Sequence, residues 1–417
     1  MHPATLSTRR YRRLLTAAAA AAVIAAGTAA PANAAPPLRE VMFVGNNWDG
    51  TADVVDSTGD FARIGRINVI PDKARRLAEI YTNPIELIYY LGIRQGPGEG
   101  HDQYVDDMYS TPDGTAMVVS RPSFADVVSI DLATGKIRWR FPVSGYRSDH
   151  MGISPDGTKV AVSASTSNTV HVLDIDTGKQ LGSFTTGDKP HENIFTNGGK
   201  YLWNMSIGEV NNDFDAPSQD WLKGDRHITI VDASTYRVVR TVDMRSRLDA
   251  FGRSDLSDAV RPAVFSPDFS KLYFQVSFFN GFIEYDIATD KITRVKTLPR
   301  NPATGDDRTT FVNDSRHHGL SMSPDGTRLC VAGTMDDYVT VVDRAGLREG
   351  PLVPASKPYW ATVSGDGRDC LISESGADRI TAIDFTTGEK VTSVAVGDHP
   401  QRVRLAHVPA DWSGPAD

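Results

Sequence analysis

Seven pairs of adjacent residues carry the side chains that polar-ligand chemistry uses: Asp106-Asp107, Asp149-His150, His191-Glu192, Arg261-Pro262, His318-Gly319, Tyr359-Trp360 and Gln401-Arg402. Neutral imidazoles beside Asp or Glu suit a Zn²⁺- or Mn²⁺-type ion, which polarises a carbonyl or acidifies a water. Without a metal, a histidine and a carboxylate can divide acid and base roles while Arg261 or Arg402 holds an anionic substrate. His191, His318 and Glu192 are the candidate catalytic residues. Asp106, Asp149, His150, Arg261, Tyr359, Trp360 and Arg402 are the candidate ligand-binding residues. His150, His191 and His318 are the candidate ligands of a divalent metal ion.

These pairs recur because the chain repeats. An alternating apolar strand ending in Asp, usually before a Thr-Gly-type turn, occurs seven times, at Asp56, Asp131, Asp174, Asp232, Asp286, Asp343 and Asp384. A Ser-Pro-Asp-Gly-like turn precedes each Asp but the first, at Pro112, Pro155, Asn197, Pro267, Pro324 and Gly365. A period of roughly 42 residues holding four strand-sized segments marks a β-propeller blade, because a lone four-stranded sheet cannot bury its faces. The pattern predicts an all-β fold, a seven-bladed β-propeller over 35–417. The one missing inner turn is explained by a ring closed by both chain ends: strands at 41–46, 51–56 and 62–70, with 401–406 as their innermost partner. Closure removes the sheet edges that would otherwise aggregate.

Aligned on the turns, the seven pairs open the inner strands and crowd one mouth of the central channel. Six of the ten histidines, His101, His150, His191, His317, His318 and His399, lie at or just before inner strands. Four segments exceed the repeat, 71–100, 206–226, 244–260 and 299–316, and up-and-down topology puts all four on the face of that mouth. Repeat proteins place insertions on the binding face. Within the first insertion, 72–91 reads as one or two short helices, with Asp72 as a cap and Pro84 as a break.

Segments such as Ile153-Ser154-Pro155-Asp156-Gly157-Thr158-Lys159-Val160-Ala161-Val162, followed by Asn168-Thr169-Val170-His171-Val172-Leu173-Asp174, resemble the YVTN-repeat family of bacterial propellers, which includes lactonase-like proteins. The resemblance extends over nearly the whole chain after residue 34 and implies the fold. It does not imply one activity, since such a scaffold hosts enzymes, surface proteins and cofactor-bearing subunits alike. There is no Cys-x-x-Cys-His for covalent haem, no Gly-x-Ser-x-Gly elbow and no phosphate-binding glycine loop.

Residues 1–34 read as a signal peptide: Arg9, Arg10, Arg12 and Arg13 precede an apolar run, and Ala32-Asn33-Ala34 offers cleavage after Ala34. The expected protein is secreted, and no other apolar stretch is long enough for a membrane span. The formal charge of -8 becomes about -12 without those four arginines, which argues against nucleic acid as a partner. The expected partner is a small polar molecule, or an extracellular polymer or protein. Cys330 and Cys370 fall on the second strands of adjacent blades, where a disulfide is conceivable; packed sheets about 10 Å apart favour two buried thiols instead. Asn211, Asn212, Asp213, Asp215 and Asp220 form an acidic loop without the spacing of a calcium loop. The sequence thus points to a ligand-binding propeller, of hydrolase or lyase class if it is an enzyme. The alternative is a non-catalytic extracellular scaffold using the same loops.

Overall fold

The computed structural model describes residues 37–415, except 211, 213, 215 and 216 and the side chains of 217, 218 and 220. The segment read as a signal peptide, its cleavage point, and Asn211, Asp213, Asp215 and the side chain of Asp220 lie outside the described residues. Residues 37–415 form seven antiparallel sheets, the blades of a β-propeller. In the closing blade the last strand, Pro400–Pro409, pairs with Leu38–Asn46, which pairs with Thr51–Asp56 and then Arg63–Asn68. Both chain ends therefore lock one sheet, as the turn count predicts. In the sixth blade the outer strand is split into Arg348–Glu349 and Val353–Pro354, both paired with Tyr338–Asp343. Pro351 stands in the gap, where it has no N–H to give a ladder.

Middle strands are buried on both sides because every blade packs on two neighbours. Between the first and second blades, Phe43, Val54 and Ala406 meet Met117, Val119 and Val128 in one apolar cluster. The strand-ending aspartates act as turn formers: Asp131 Oδ1 accepts from the backbone amides of Ala133 and Thr134 at 3.0 and 2.8 Å, and Asp384 Oδ1 from Thr386 and Thr387 at 2.8 and 2.7 Å.

The first insertion folds as α1, Lys73–Thr82, and α2, Pro84–Gln95. Asn83 separates them and caps α2, its side chain accepting from Ile85 N at 3.1 Å, while Pro84 takes the first helical position, where a missing N–H costs nothing. Asp72 makes no cap bond to α1. Its carboxylate is instead held by the fully buried Arg121 at 2.6 Å, which also grips Asp126 at 2.8 Å and so ties the helices to the second blade. The third insertion contains a helix, α3, Met244–Phe251, that the repeat pattern did not reveal; Asp243 caps its start and Gly252, in the left-handed region, ends it.

The four insertions lie against one another. Asn313 Nδ2 donates to Pro97 O at 3.3 Å, Lys223 pairs with Asp314 at 2.6 Å, and Arg226 pairs with Asp258 at 2.6 Å. They gather on one end of the ring and form a cap over it.

Cys330 and Cys370 are joined in a disulfide, which corrects the expectation of two thiols. Their Cα atoms are 6.4 Å apart. The general sheet spacing misleads here because the facing strands carry the small residues Ala332 and Ala361 in the same cluster, so the blades approach more closely than large side chains allow. The bond closes a loop with a sequence separation of 40, and replacing both cysteines by alanine is expected to cost about 2–4 kcal/mol in denaturant unfolding. An unchanged midpoint would show that the bond does not form in solution.

Candidate functional site

A β-bulge stands at the start of every inner strand, at the pairs identified from sequence. In five blades the ladder skips one residue there: between Ser148 and Met151, Pro190 and Asn193, Arg261 and Ala263, Pro358 and Trp360, and Pro400 and Val403. In the other two, a single residue of the second strand bonds both members of the pair: Ser120 with Asp106 and Asp107, and Ala332 with His318 and Gly319. Strict alternation would send one member of each pair to the channel and the other to a blade interface. A bulge sets two residues against one and re-aims them. This is why His150, Glu192 and Trp360 come together with Asp149, His191 and Tyr359.

His150 is the centre of the resulting cluster. Its Nδ1 lies 3.0 Å from Glu192 Oε2 and 3.3 Å from Arg402 Nη2; its Nε2 lies 3.6 Å from Asp106 Oδ1 and 3.7 Å from Asp149 Oδ1. The His191 ring stands edge-on to it at 3.6 Å, and Trp360 closes the other side at 5.9 Å. Arg402 reaches Asp106 at 3.5 Å and lies 4.2 Å above the Trp360 ring. His318 sits further round the ring, 6.0 Å from His191 between ring centres, tilted against Tyr359 at 4.3 Å and in contact through Nδ1 with Tyr359 O at 3.2 Å.

Every one of these side chains is buried. The insertions lie over the mouth and cover it. A cleft of about 290 Å³ between α2 (Ile88, Tyr89, Ile93) and the loop at Ile207–Val210 touches the cluster's edge at Asp149.

Burial sets the protonation states. Desolvation, helped by Arg402, pushes His150 and His318 well below the usual imidazole value, and desolvation with His318 and Arg402 does the same to His191. All three are neutral at pH 7. Desolvation raises Glu192 to about 7 against the pull of Arg404 and Arg402, and raises Asp106 well above the carboxylate range, with Asp149 adding to the effect. Four side chains keep five buried polar atoms without a hydrogen-bond partner: His191 Nδ1, His318 Nε2, Asp106 Oδ1 and Arg402 Nε and Nη1.

Other candidates have other duties. Arg261 donates to Asn313 O and Ser315 Oγ, each at 2.6 Å, and so fastens the fourth insertion, though its charge still reaches His191 and His318. His317 bonds Asp336 at 2.8 Å. His101 and His399 sandwich Trp48 at 3.8 and 3.7 Å. Gln401 bonds Asn47 at 3.2 Å. Two residues went unnoticed in the sequence: Arg147, which pairs with Asp149 and with Gln103 at 3.1 Å, and Arg404, which clamps Asp107 through two 2.7 Å bonds. Each lies two positions from a candidate on the same strand or its approach, so the alternation rule could have found both.

The chain is thus a seven-bladed β-propeller with a capped, buried cluster of imidazole, carboxyl and guanidinium groups at one end of its channel. No protein-family description and no curated protein matches it. Among solved structures it is similar to Kuenenia stuttgartiensis hydrazine synthase, at 16% identity with a TM-score of 0.55, covering 74% of this chain and 96% of that one. A likeness at that identity carries the fold alone. Among the described residues, no helix is long and apolar enough to cross a membrane.

Proposed function

We propose that the protein is an exported, YVTN-type propeller that binds a small anionic molecule in the capped cluster, where neutral histidines and Glu192 supply acid–base chemistry of a hydrolase or lyase kind. One observation carries this reading: His191 Nδ1, His318 Nε2 and Arg402 Nε and Nη1, each without a hydrogen-bond partner, lie in one buried cluster beside the ion-paired Asp106. Buried polar groups are almost always satisfied, and each exception needs an explanation such as a ligand or ion. Arg402, fixed over Trp360, offers two donors to a carboxylate or phosphate oxygen. Glu192, with a value near 7, matches the operating range of a general acid or base.

The test is a thermal-shift and calorimetric panel of small carboxylates and phosphate esters against wild type and Arg402→Gln. The expected result is at least one compound that stabilises wild type and not the variant. No stabilisation by any of them, or equal stabilisation of both, would overturn the reading.

Export rests on residues 1–34. Intact-mass measurement of protein recovered from culture medium is expected to give a chain beginning at Ala35; an uncleaved or purely intracellular product would contradict it. A second reading, a scaffold docking an extracellular polymer or protein, has the exposed apolar side chains of the cap in its favour: Ile85 at 56%, Ile88 at 70% and Trp221 at 78% exposure. Co-sedimentation with cell-wall polymer that is lost in Ile88→Asp would support it over the first.

A further inference from the structure

We propose that Asp149, His150 and His191 bind a divalent first-row transition-metal ion, Zn²⁺ or a close neighbour in coordination preference. The proposal deepens the ligand-binding reading by placing an ion in the same cluster.

Four observations converge. One donor atom from each of the three residues lies within 4.8 Å of the others, and all three residues are buried. His150 Nδ1 lies 3.0 Å from Glu192 Oε2, the kind of carboxylate contact that orients metal-bound histidines, and Nε2 is the ring nitrogen turned towards Asp106 and Asp149. Nε2 faces Asp106 Oδ1 at 3.6 Å and Asp149 Oδ1 at 3.7 Å, too far for hydrogen bonds. A cation among them would give all three atoms a shared partner. Donor atoms around an ion with bonds of roughly 2.0–2.2 Å stand roughly 3.0–3.5 Å apart, so the cluster needs only a small contraction. Finally, His191 Nδ1 is buried and without a partner.

The donor set, two imidazole nitrogens and a carboxylate oxygen, is a borderline-soft set that suits zinc and its neighbours better than calcium or magnesium. The cleft beside α2 reaches Asp149, which leaves one side of the ion open to solvent or ligand. Three carboxyl groups, those of Asp106, Asp149 and Glu192, face Arg147 and Arg402, and the pairing of Arg404 with Asp107 is neutral by itself. His318 lies outside this set: among the described residues the donor atoms that meet within 4.8 Å are those of Asp149, His150 and His191. Its place in the ligand set read from sequence is taken by Asp149.

The experiment uses the mature chain purified without a His tag, stripped with chelator and titrated with Co²⁺ alone, read by visible absorption and by elemental analysis after desalting. The expected result is saturable, stoichiometric uptake with d–d bands that zinc abolishes. His191→Gln and Asp149→Asn are expected to lose the bands while still unfolding cooperatively from a native state, and His318→Gln to keep them. Glu192→Gln is expected to weaken cobalt binding by about 10–100-fold through the loss of ligand orientation. A folded wild type that takes up no cobalt or zinc, or a His191→Gln variant that binds like wild type, overturns the proposal. The carboxylate and phosphate panel repeated on the chelator-stripped protein separates the two claims: ligand stabilisation surviving without any metal uptake sinks the ion and spares the anion site.

Discussion

Replacing Arg404 by Met is expected to lower the unfolding free energy by about 3–5 kcal/mol, the largest loss for any single substitution considered for this protein. Arg404 lies on the strand that closes the ring, and its guanidinium holds the fully buried Asp107 of the next blade through two 2.7 Å bonds. Asp107 also accepts from the backbone amides of Met108 and Met151 at 3.0 and 3.2 Å, which makes it the joint of three strands from neighbouring blades. Without Arg404 that carboxylate is left charged and desolvated. The cost should come from the orphaned charge more than from a lost attraction, because a buried ion pair contributes little over an apolar replacement. Adding Asp107→Asn should therefore recover most of the stability. Urea unfolding of the two variants checks both statements. A loss below about 1 kcal/mol in the single variant would mean that the pair behaves as a solvated surface bridge.

The second large effect is a gain. Glu192 has a folded value of about 7 against an ordinary 4.5, so the fold favours its neutral form. Below pH 4.5 the carboxyl is protonated in both states and contributes nothing. As pH rises through that value the unfolded chain releases the proton first, and the resulting penalty on the fold grows until about pH 7, then stays constant. Glu192→Gln removes an ionisation penalty of about 3 kcal/mol, so the metal-free variant should be more stable than wild type at pH 8 and equal to it at pH 4. The histidines act in the opposite sense. His150, His191 and His318 have folded values far below 6.5, so the stability tied to their neutral state is complete above pH 6.5 and is lost as pH falls. Melting curves from pH 4 to 8 should show acid lability in both proteins and a gap between them that opens only towards neutral pH. A gap independent of pH would show that Glu192 does not titrate in that range. A stabilising change that weakens cobalt binding would mark Glu192 as a positioning residue kept for function at the expense of stability.

The blades were legible because their signals are local. Asp131 and its counterparts form turns with amides two and three residues on, and such contacts repeat wherever the residues do. The pairs of the site were legible for the same reason, since a bulge recurs at one point of each repeat. What the pairs do together was not, because alternation alone sends His150 and Glu192 away from the channel and only the bulges bring them in. The cap was half visible: Pro84 marked the break between α1 and α2, while Asp72, expected to cap a helix, was claimed by Arg121 from another blade. The Cys330–Cys370 bond depended on Ala332 and Ala361 letting two sheets approach, a distance that no sequence pattern states.

The buried atoms without hydrogen-bond partners at the capped end of the channel are expected to hold a polar ligand. Crystallographic density around His191 Nδ1 and Arg402 Nη1, in protein purified without chelator, tests it most directly. The expected result is a bound ion or anion within bonding reach of one or both. Side chains turned to satisfy each other, or joined by ordered water alone in crystals soaked with cobalt and with the carboxylate panel, would contradict it.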